Sequence, residues 1–256
     1  MVQLLASSAI LVFLTMTILW LISLKVNKMS IVDGFWGLGF ILLATYHFMD
    51  QEDKTPGKFL AAYLIFLWGV RLAAHIFYRN HNAPEDPRYA AWRKDWGKNT
   101  WWISYFKVFL LQGVLMLTIS LPLIAIMHGS DDFLYPVDWI GVMIWLTGWL
   151  FETIGDYQLL RFKKNPANKG VVMDKGLWRY TRHPNYFGET LVWWGIFIIS
   201  VSSGLWYVSV LSPLLITFLL LKVSGVTLLE KRYDGNDKYA EYKRKTSSFI
   251  PLPLKK

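Results

Sequence analysis

The chain has 256 residues, of which 54% are hydrophobic and only 18% charged, with 14 Trp and no Cys; its mean hydropathy is +0.31. At about 100–200 residues per domain the length is that of one or two domains, and the shortage of charge excludes an ordinary water-facing enzyme surface. The lack of Cys excludes disulfides, thiolate metal sites and cysteine nucleophiles. Lys and Arg outnumber Asp and Glu by 27 to 18, so the partner is nucleic acid, anionic lipid or a phosphate-bearing ligand, according to where the charges sit.

A bilayer core of about 30 Å needs about 20 mostly apolar residues per helix. Candidate spans in chain order are Leu4–Leu24, Ile31–Met49, Phe59–Tyr78, Val108–Met127, Val137–Leu160, Thr190–Val201 extended back into the preceding segment, and Leu205–Leu229. The first is expected to persist as a membrane helix, because it has no basic leader, is longer than an ordinary signal-peptide core and is followed by no small-residue cleavage site. The expected fold is therefore all-α, a polytopic integral membrane bundle of about seven helices in a single membrane domain.

Basic residues between the spans alternate. The segment Arg79 to Lys107 carries six, Arg161 to Glu189 carries seven and the tail from Lys222 carries nine, whereas the fourth loop has none and displays Asp131 and Asp132. Positively charged loops are retained in the cytoplasm, which predicts an external N-terminus and a cytoplasmic C-terminus. A bacterial inner membrane and an endoplasmic reticulum fit equally.

Charges inside a membrane helix cost roughly 2.5–3.5 kcal/mol at its centre and are functional hypotheses by default. The candidates are Asp33, His47, Arg71, His75, Glu152 and Asp156, and all but His47 fall toward the cytoplasmic ends of their spans. Glu152 and Asp156, four apart, share one helix face. Two such carboxylates repel unless cations or donors meet them, and Arg71 is their natural partner.

The densest stretch is Gly176-Leu177-Trp178-Arg179-Tyr180-Thr181-Arg182-His183-Pro184-Asn185-Tyr186-Phe187-Gly188-Glu189. Guanidinium groups flanking aromatic rings suit phosphate, and Asn185 offers a donor and an acceptor to a carboxamide or an adenine edge. The segment reads as a nucleotide cradle. Neither a Rossmann fingerprint nor a P-loop is present, and His183 has no second ligand at metal spacing, so no metal site is expected. The stretch is wedged between two spans, which argues against nucleic acid.

Arg179 to Glu189, preceded by Glu152-x-x-x-Asp156-x-Gln158 and followed by Tyr239-x-x-Tyr242 before Ile250-Pro251, resembles the steroid 5-alpha-reductase-like superfamily, in particular its steroid-reductase-like membrane branch. Trp68-Gly69-Val70-Arg71-Leu72 and Pro84-Glu85-Asp86-Pro87-Arg88-Tyr89 resemble the same branch. That superfamily holds sterol reductases that use NADPH and isoprenylcysteine carboxyl methyltransferases that use S-adenosylmethionine. The Arg-His-Pro-x-Tyr-x-Gly core occurs in both, while Asn185 and Glu189 favour the reductases.

The resemblance implies an NADPH-dependent reductase of a carbon–carbon double bond, conjugated to a carbonyl, in a steroid-like or other lipid-soluble substrate. Residues 1–130 would be the substrate side and 131–256 the cofactor-binding core. It implies that Arg179, Arg182 and one or more of Arg161, Lys163 and Lys164 meet the cofactor phosphates, and that His183, Asn185, Tyr186 and Glu189 position nicotinamide and ribose. Glu152 and Asp156 would accept from sugar hydroxyls or the carboxamide, held by Arg71, with Arg232, Tyr239 and Tyr242 closing the site. The Glu and Tyr with which steroid reductases polarise the substrate carbonyl have no clear counterpart; Asp33 with Tyr63 or Tyr46 is nearest, and Glu189 is a further candidate catalytic residue. The alternatives are an S-adenosylmethionine-dependent membrane methyltransferase and a non-catalytic membrane sensor or scaffold.

Overall fold

The computed structural model describes residues 2–81, 83–129, 134–231 and 233–254. Asp131, Asp132 and Arg232 lie outside the described residues. The regular elements among the described residues are all helices, the one extended pairing being an isolated bridge between Thr181 and Ser247. The chain divides into two compact units, Met1–Leu134 and Tyr135–Lys256. Among the described residues six helices are long and apolar enough to cross a membrane, and the protein is an integral membrane protein.

The first unit contains α1 (Val2–Val26), α2 (Ile31–Met49), α3 (Pro56–Asn80), α4 (Pro87–Ile119) and α5 (Leu121–His128). Helices α2 and α3 approach backbone to backbone, because a Cβ on Gly69 would stand only 2.6 Å from the Gly37 carbonyl oxygen. Small residues allow this approach, and in lipid close packing replaces the hydrophobic drive available in water.

Helix α4 differs from the sequence expectation, which placed residues 79–107 in a loop and a span at Val108–Met127. It begins at Pro87 instead, after Asp86, whose carboxylate accepts from the Arg88 backbone N–H at 2.9 Å. An Asp cap followed by Pro at the first helical position is a start signal that a search for apolar runs passes over. The helix stops at Ile119 because Pro122 has no N–H and its ring crowds the preceding turn.

One polar chain crosses the first unit. Lys58 Nζ donates to Gln51 Oε1 (3.3 Å), Gln51 Nε2 lies 3.0 Å from His128 Nδ1, His128 Nε2 lies 3.0 Å from His47 Nδ1, and His47 Nε2 lies 2.7 Å from Ser8 Oγ. Ser8 in turn donates to the Leu4 carbonyl at 2.8 Å. The ammonium can only donate, so the bonds run in one direction and both imidazoles are neutral. His47, wholly buried, is thereby part of a lock joining α1, α2, the start of α3 and the end of α5.

The second unit contains α6 (Pro136–Lys164), α7 (Pro184–Ser200), α8 (Trp206–Lys231) and the short α9 (Asp237–Lys245). Helices α6 and α7 run antiparallel with glycines in register. Gly141 faces Gly195 and Gly148 faces Gly188, where an added Cβ would stand 2.5–2.8 Å from the opposing carbonyl oxygens. The heptad spacing of Gly141, Gly148 and Gly155 keeps them on one stripe. Helix α7 does extend back into the motif, as expected, and has 17 residues.

Candidate functional site

The glycine stripe determines what meets what. Gly155 on α6 lies against Pro184 and the Asn185 backbone N–H, and Gly188 lies against the backbone of Glu152, so the first turns of α7 are laid on the α6 face that carries Glu152 and Asp156. Both carboxylates are buried, at 2% and 9% exposure. Asn185 Nδ2 donates to Asp156 Oδ1 at 3.1 Å. A carboxylate can only accept, so this bond fixes the amide orientation and leaves Asn185 Oδ1 as the free end.

That oxygen is buried and has no partner among the described residues. His183, 3% exposed, is in a similar state: Nε2 lies 3.3 Å from Glu230 Oε1, while Nδ1 is buried and unpartnered among the described residues. Nε2 is therefore engaged with the carboxylate, and Nδ1 is the ring nitrogen left over. The ring stacks on Tyr186 with centroids 5.4 Å apart and planes at 6°. A buried acceptor, Asn185 Oδ1, and a buried ring nitrogen, His183 Nδ1, thus stand unanswered around the start of α7, a costly arrangement unless a ligand meets them. Tyr186 and Glu189 are half-buried on the same helix.

The two arginines of the motif separate. Arg182 is buried and its guanidinium is occupied: Nε donates to Glu230 at 2.7 Å, and Nη1 donates to the carbonyls of Thr246 (2.7 Å) and Lys243 (3.0 Å). Lys243 Nζ reaches the other Glu230 oxygen at 3.1 Å. Arg182 ties α8 and α9 to the motif. Arg179, three residues earlier, is exposed.

Local hydrogen bonds hold the loop rigid. Gln158 Oε1 accepts from the Leu177 N–H (3.0 Å), Trp178 Nε1 donates to the Gly155 carbonyl (3.1 Å), and Tyr242 donates to the Trp178 carbonyl. Tyr239 is buried and stacked on Tyr233, centroids 4.3 Å apart. Burial holds both phenols above the ordinary tyrosine range, reinforced by Glu230 at Tyr239 and by Tyr239 at Tyr242, so both are neutral donors. Beside the loop a cavity of about 600 Å³ is lined by Gln158, Arg161, Lys164, Asn168 and Lys175. Lys163 is exposed and outside that lining, and its neighbour Lys164 takes the position.

In the first unit Asp33 accepts from the Tyr89 hydroxyl at 2.7 Å, with Arg88 Nη2 3.6 Å away. Glu85 of the same motif accepts the backbone N–H groups of Met29 and Ser30 at the entrance to α2. The sequence reading missed Tyr89 as the partner of Asp33. Gly34 meets Phe77, so Tyr63, fourteen residues earlier on α3, lies roughly 21 Å along the axis, and it is 59% exposed. Tyr46, thirteen residues along α2 itself, is also far from Asp33. Pro84–Tyr89 was visible as a motif, and only the packing of α4 on α2 shows which tyrosine it supplies. Arg71 is half-buried on α3.

The family described as "Protein of unknown function (DUF1295)" matches residues 19–246. An uncharacterised protein of the fission yeast Schizosaccharomyces pombe is 24% identical over 214 residues, 73% of this chain and 61% of its own length. A second relative, "Probable O-methyltransferase ustE" of Ustilaginoidea virens, is 33% identical over 79 residues, 31% of this chain and 27% of its own length. The chain thus spans less than two thirds of either relative. No solved structure matches.

Proposed function

Because the chain belongs to the DUF1295 family of proteins, which is related to steroid reductase-like enzymes, we propose that it is an NADPH-dependent membrane reductase of a conjugated carbon–carbon double bond in a steroid-like or other lipid substrate. The observation that carries this reading is the buried, unanswered acceptor Asn185 Oδ1, with the unpartnered His183 Nδ1 near it at the start of α7. A nicotinamide carboxamide and ribose hydroxyls bring the N–H and O–H donors that such a site lacks. Bound there, the cofactor supplies hydride.

In this reading Asp156 orients the Asn185 amide, and Glu152 and Glu189 accept hydroxyl donors. Tyr186, stacked on His183, forms a flat wall. Arg161, Lys164 and Lys175 around the 600 Å³ cavity supply positive charge for phosphate, while Arg182 shapes the loop through Glu230 instead of touching the ligand. Arg71, half-buried on α3, is a further cofactor-binding candidate. Asp33, paired with Tyr89, is the candidate acid by which the N-terminal unit would polarise a substrate carbonyl. The orientation that goes with this function has loop 165–183 and the C-terminal segment on the cytoplasmic side.

Methyl transfer from S-adenosylmethionine is the second reading, favoured by the 79-residue similarity to the O-methyltransferase. One experiment separates the two: thermal unfolding of detergent-purified protein titrated with NADPH, NADH and S-adenosylmethionine, since a ligand that binds the native state raises its stability. A rise with NADPH, reduced at least tenfold in apparent affinity by Asn185→Ala, is the expected result. A rise with S-adenosylmethionine alone moves the site to methyl transfer.

A further inference from the structure

A second cavity, of about 640 Å³, opens between the loop preceding α7 and helix α9; it meets the 600 Å³ cavity at Lys175 and Gly176, and its lining shares no residue with the Glu152, Asp156 and Asn185 cluster. Lys175, Arg179, Lys238 and Lys245 border it, against Asp174 and Glu241. Glu241 is already taken by Lys245 at 2.6 Å. Lys175, Arg179 and Lys238 are exposed and make no ion pair among the described residues. Four cations against two acids therefore leave an excess of positive charge concentrated in one concavity.

The walls of this cavity are fixed. Arg182 N–H donates to the Ser247 carbonyl (2.9 Å), Thr181 Oγ1 to the Phe249 carbonyl (2.7 Å) and Leu252 N–H to the Tyr180 carbonyl (3.0 Å), so residues 246–252 are sewn along residues 180–182. The cations are thus held by a preorganised backbone, which lowers the ordering cost of binding.

Apolar side chains share the rim. Val171 is 51% and Leu254 39% exposed, and both line the cavity; Ile250 and Leu252 are exposed in the same tail. The cavity sits where α6 and α8 end and α7 begins, at one end of the helices of this unit, which is the level of lipid headgroups for helices that cross a bilayer. Exposed aliphatic groups beside uncommitted cations suit a ligand that presents phosphate and hydrocarbon together.

We propose that this cavity binds the phosphate headgroup of an anionic phospholipid, with Arg179 and Lys238 on the phosphate and Val171 and Leu254 against the glycerol and acyl portion. The site is separate from the cofactor cluster and serves to seat the loop and α9 on the membrane surface.

The test is thermal unfolding of detergent-purified full-length protein titrated with dioctanoyl phosphatidylglycerol, dioctanoyl phosphatidylcholine and inorganic phosphate. The variants are Lys238→Gln, which removes one exposed charge, and the charge-preserving Lys238→Arg. Phosphatidylglycerol is expected to raise the transition temperature and the other two to leave it unmoved. The Gln variant should need roughly fivefold more phosphatidylglycerol for the same shift, the Arg variant should respond like the parent, and the Gln variant's response to cofactor titration should match the parent's. Equal shifts with phosphatidylcholine, a full shift with inorganic phosphate, or a Gln variant that responds like the parent would each overturn the proposal. So would a Gln variant that loses its phosphatidylglycerol and cofactor responses together, because the cavity would then belong to the cofactor site.

Discussion

Glu230 receives Arg182, His183 and Lys243 at 2.7–3.3 Å from a position only 11% exposed. Removing one partner of a buried ionic group leaves the others uncompensated, which costs about 3–5 kcal/mol. Glu230→Ala is therefore expected to lower the unfolding transition strongly in thermal or denaturant melts in detergent. Glu241→Ala, which removes the exposed i,i+4 partner of Lys245, should leave the same melt unchanged, since exposed pairs contribute little. At this scale the sequence presents Arg179 and Arg182 as a pair of equivalent phosphate candidates. It could not show that one is a buried clamp and the other exposed, because that depends on Glu230 arriving from a helix 48 residues away in the chain.

At the scale of elements, the contact of α6 with α7 decides the geometry of the cluster. A Cβ on Gly188 would stand 2.5 Å from the Gly148 carbonyl oxygen and 2.8 Å from Glu152 Cβ. Neither helix backbone can give way without moving Glu152 and Asp156. Gly188→Ala is expected to cost about 1–3 kcal/mol by overpacking and to weaken ligand binding at Asn185, whereas Gly57→Ala, with open space around it, should be silent in both measurements. Apolar length was legible in the sequence for most helices. The start of α4 at Pro87 was missed because it rests on a cap and a proline within a charged segment, and its stop at Ile119 because it is set by Pro122 inside an apolar one.

For the molecule as a whole, the hydrogen bonds between residues 180–182 and 247–252 constrain the topology of the second unit. They hold the loop and the tail at the same end, so α7 and α8 must together make an even number of crossings. With α8 a candidate crossing helix by length and hydropathy, the same parity predicts that the 17-residue α7, at the short end of the range that spans a bilayer, crosses as well, and cysteine labelling tests it. The chain has no Cys, so single cysteines report cleanly. Lys169→Cys and Arg244→Cys are expected to react with an impermeant maleimide only after the cells are opened, and Glu52→Cys in intact cells. Labelling of Lys169→Cys and Arg244→Cys from opposite sides would remove α7 from the spans.

The sequence by itself determined the solvent and the secondary structure: apolar runs of membrane length leave the backbone no alternative to helix, because every N–H and C=O must be satisfied within the segment. It also determined which polar residues were too costly to be incidental, since Glu152, Asp156 and the segment from Arg179 to Glu189 stand out against an apolar background without any structure. Only the tertiary structure decided how those residues divide their roles. Whether a guanidinium is free or clamped, which tyrosine meets Asp33, and which acceptors are left unanswered depend on partners distant in the chain, brought to within about 3 Å by glycine-lined helix packing that local periodicity does not encode.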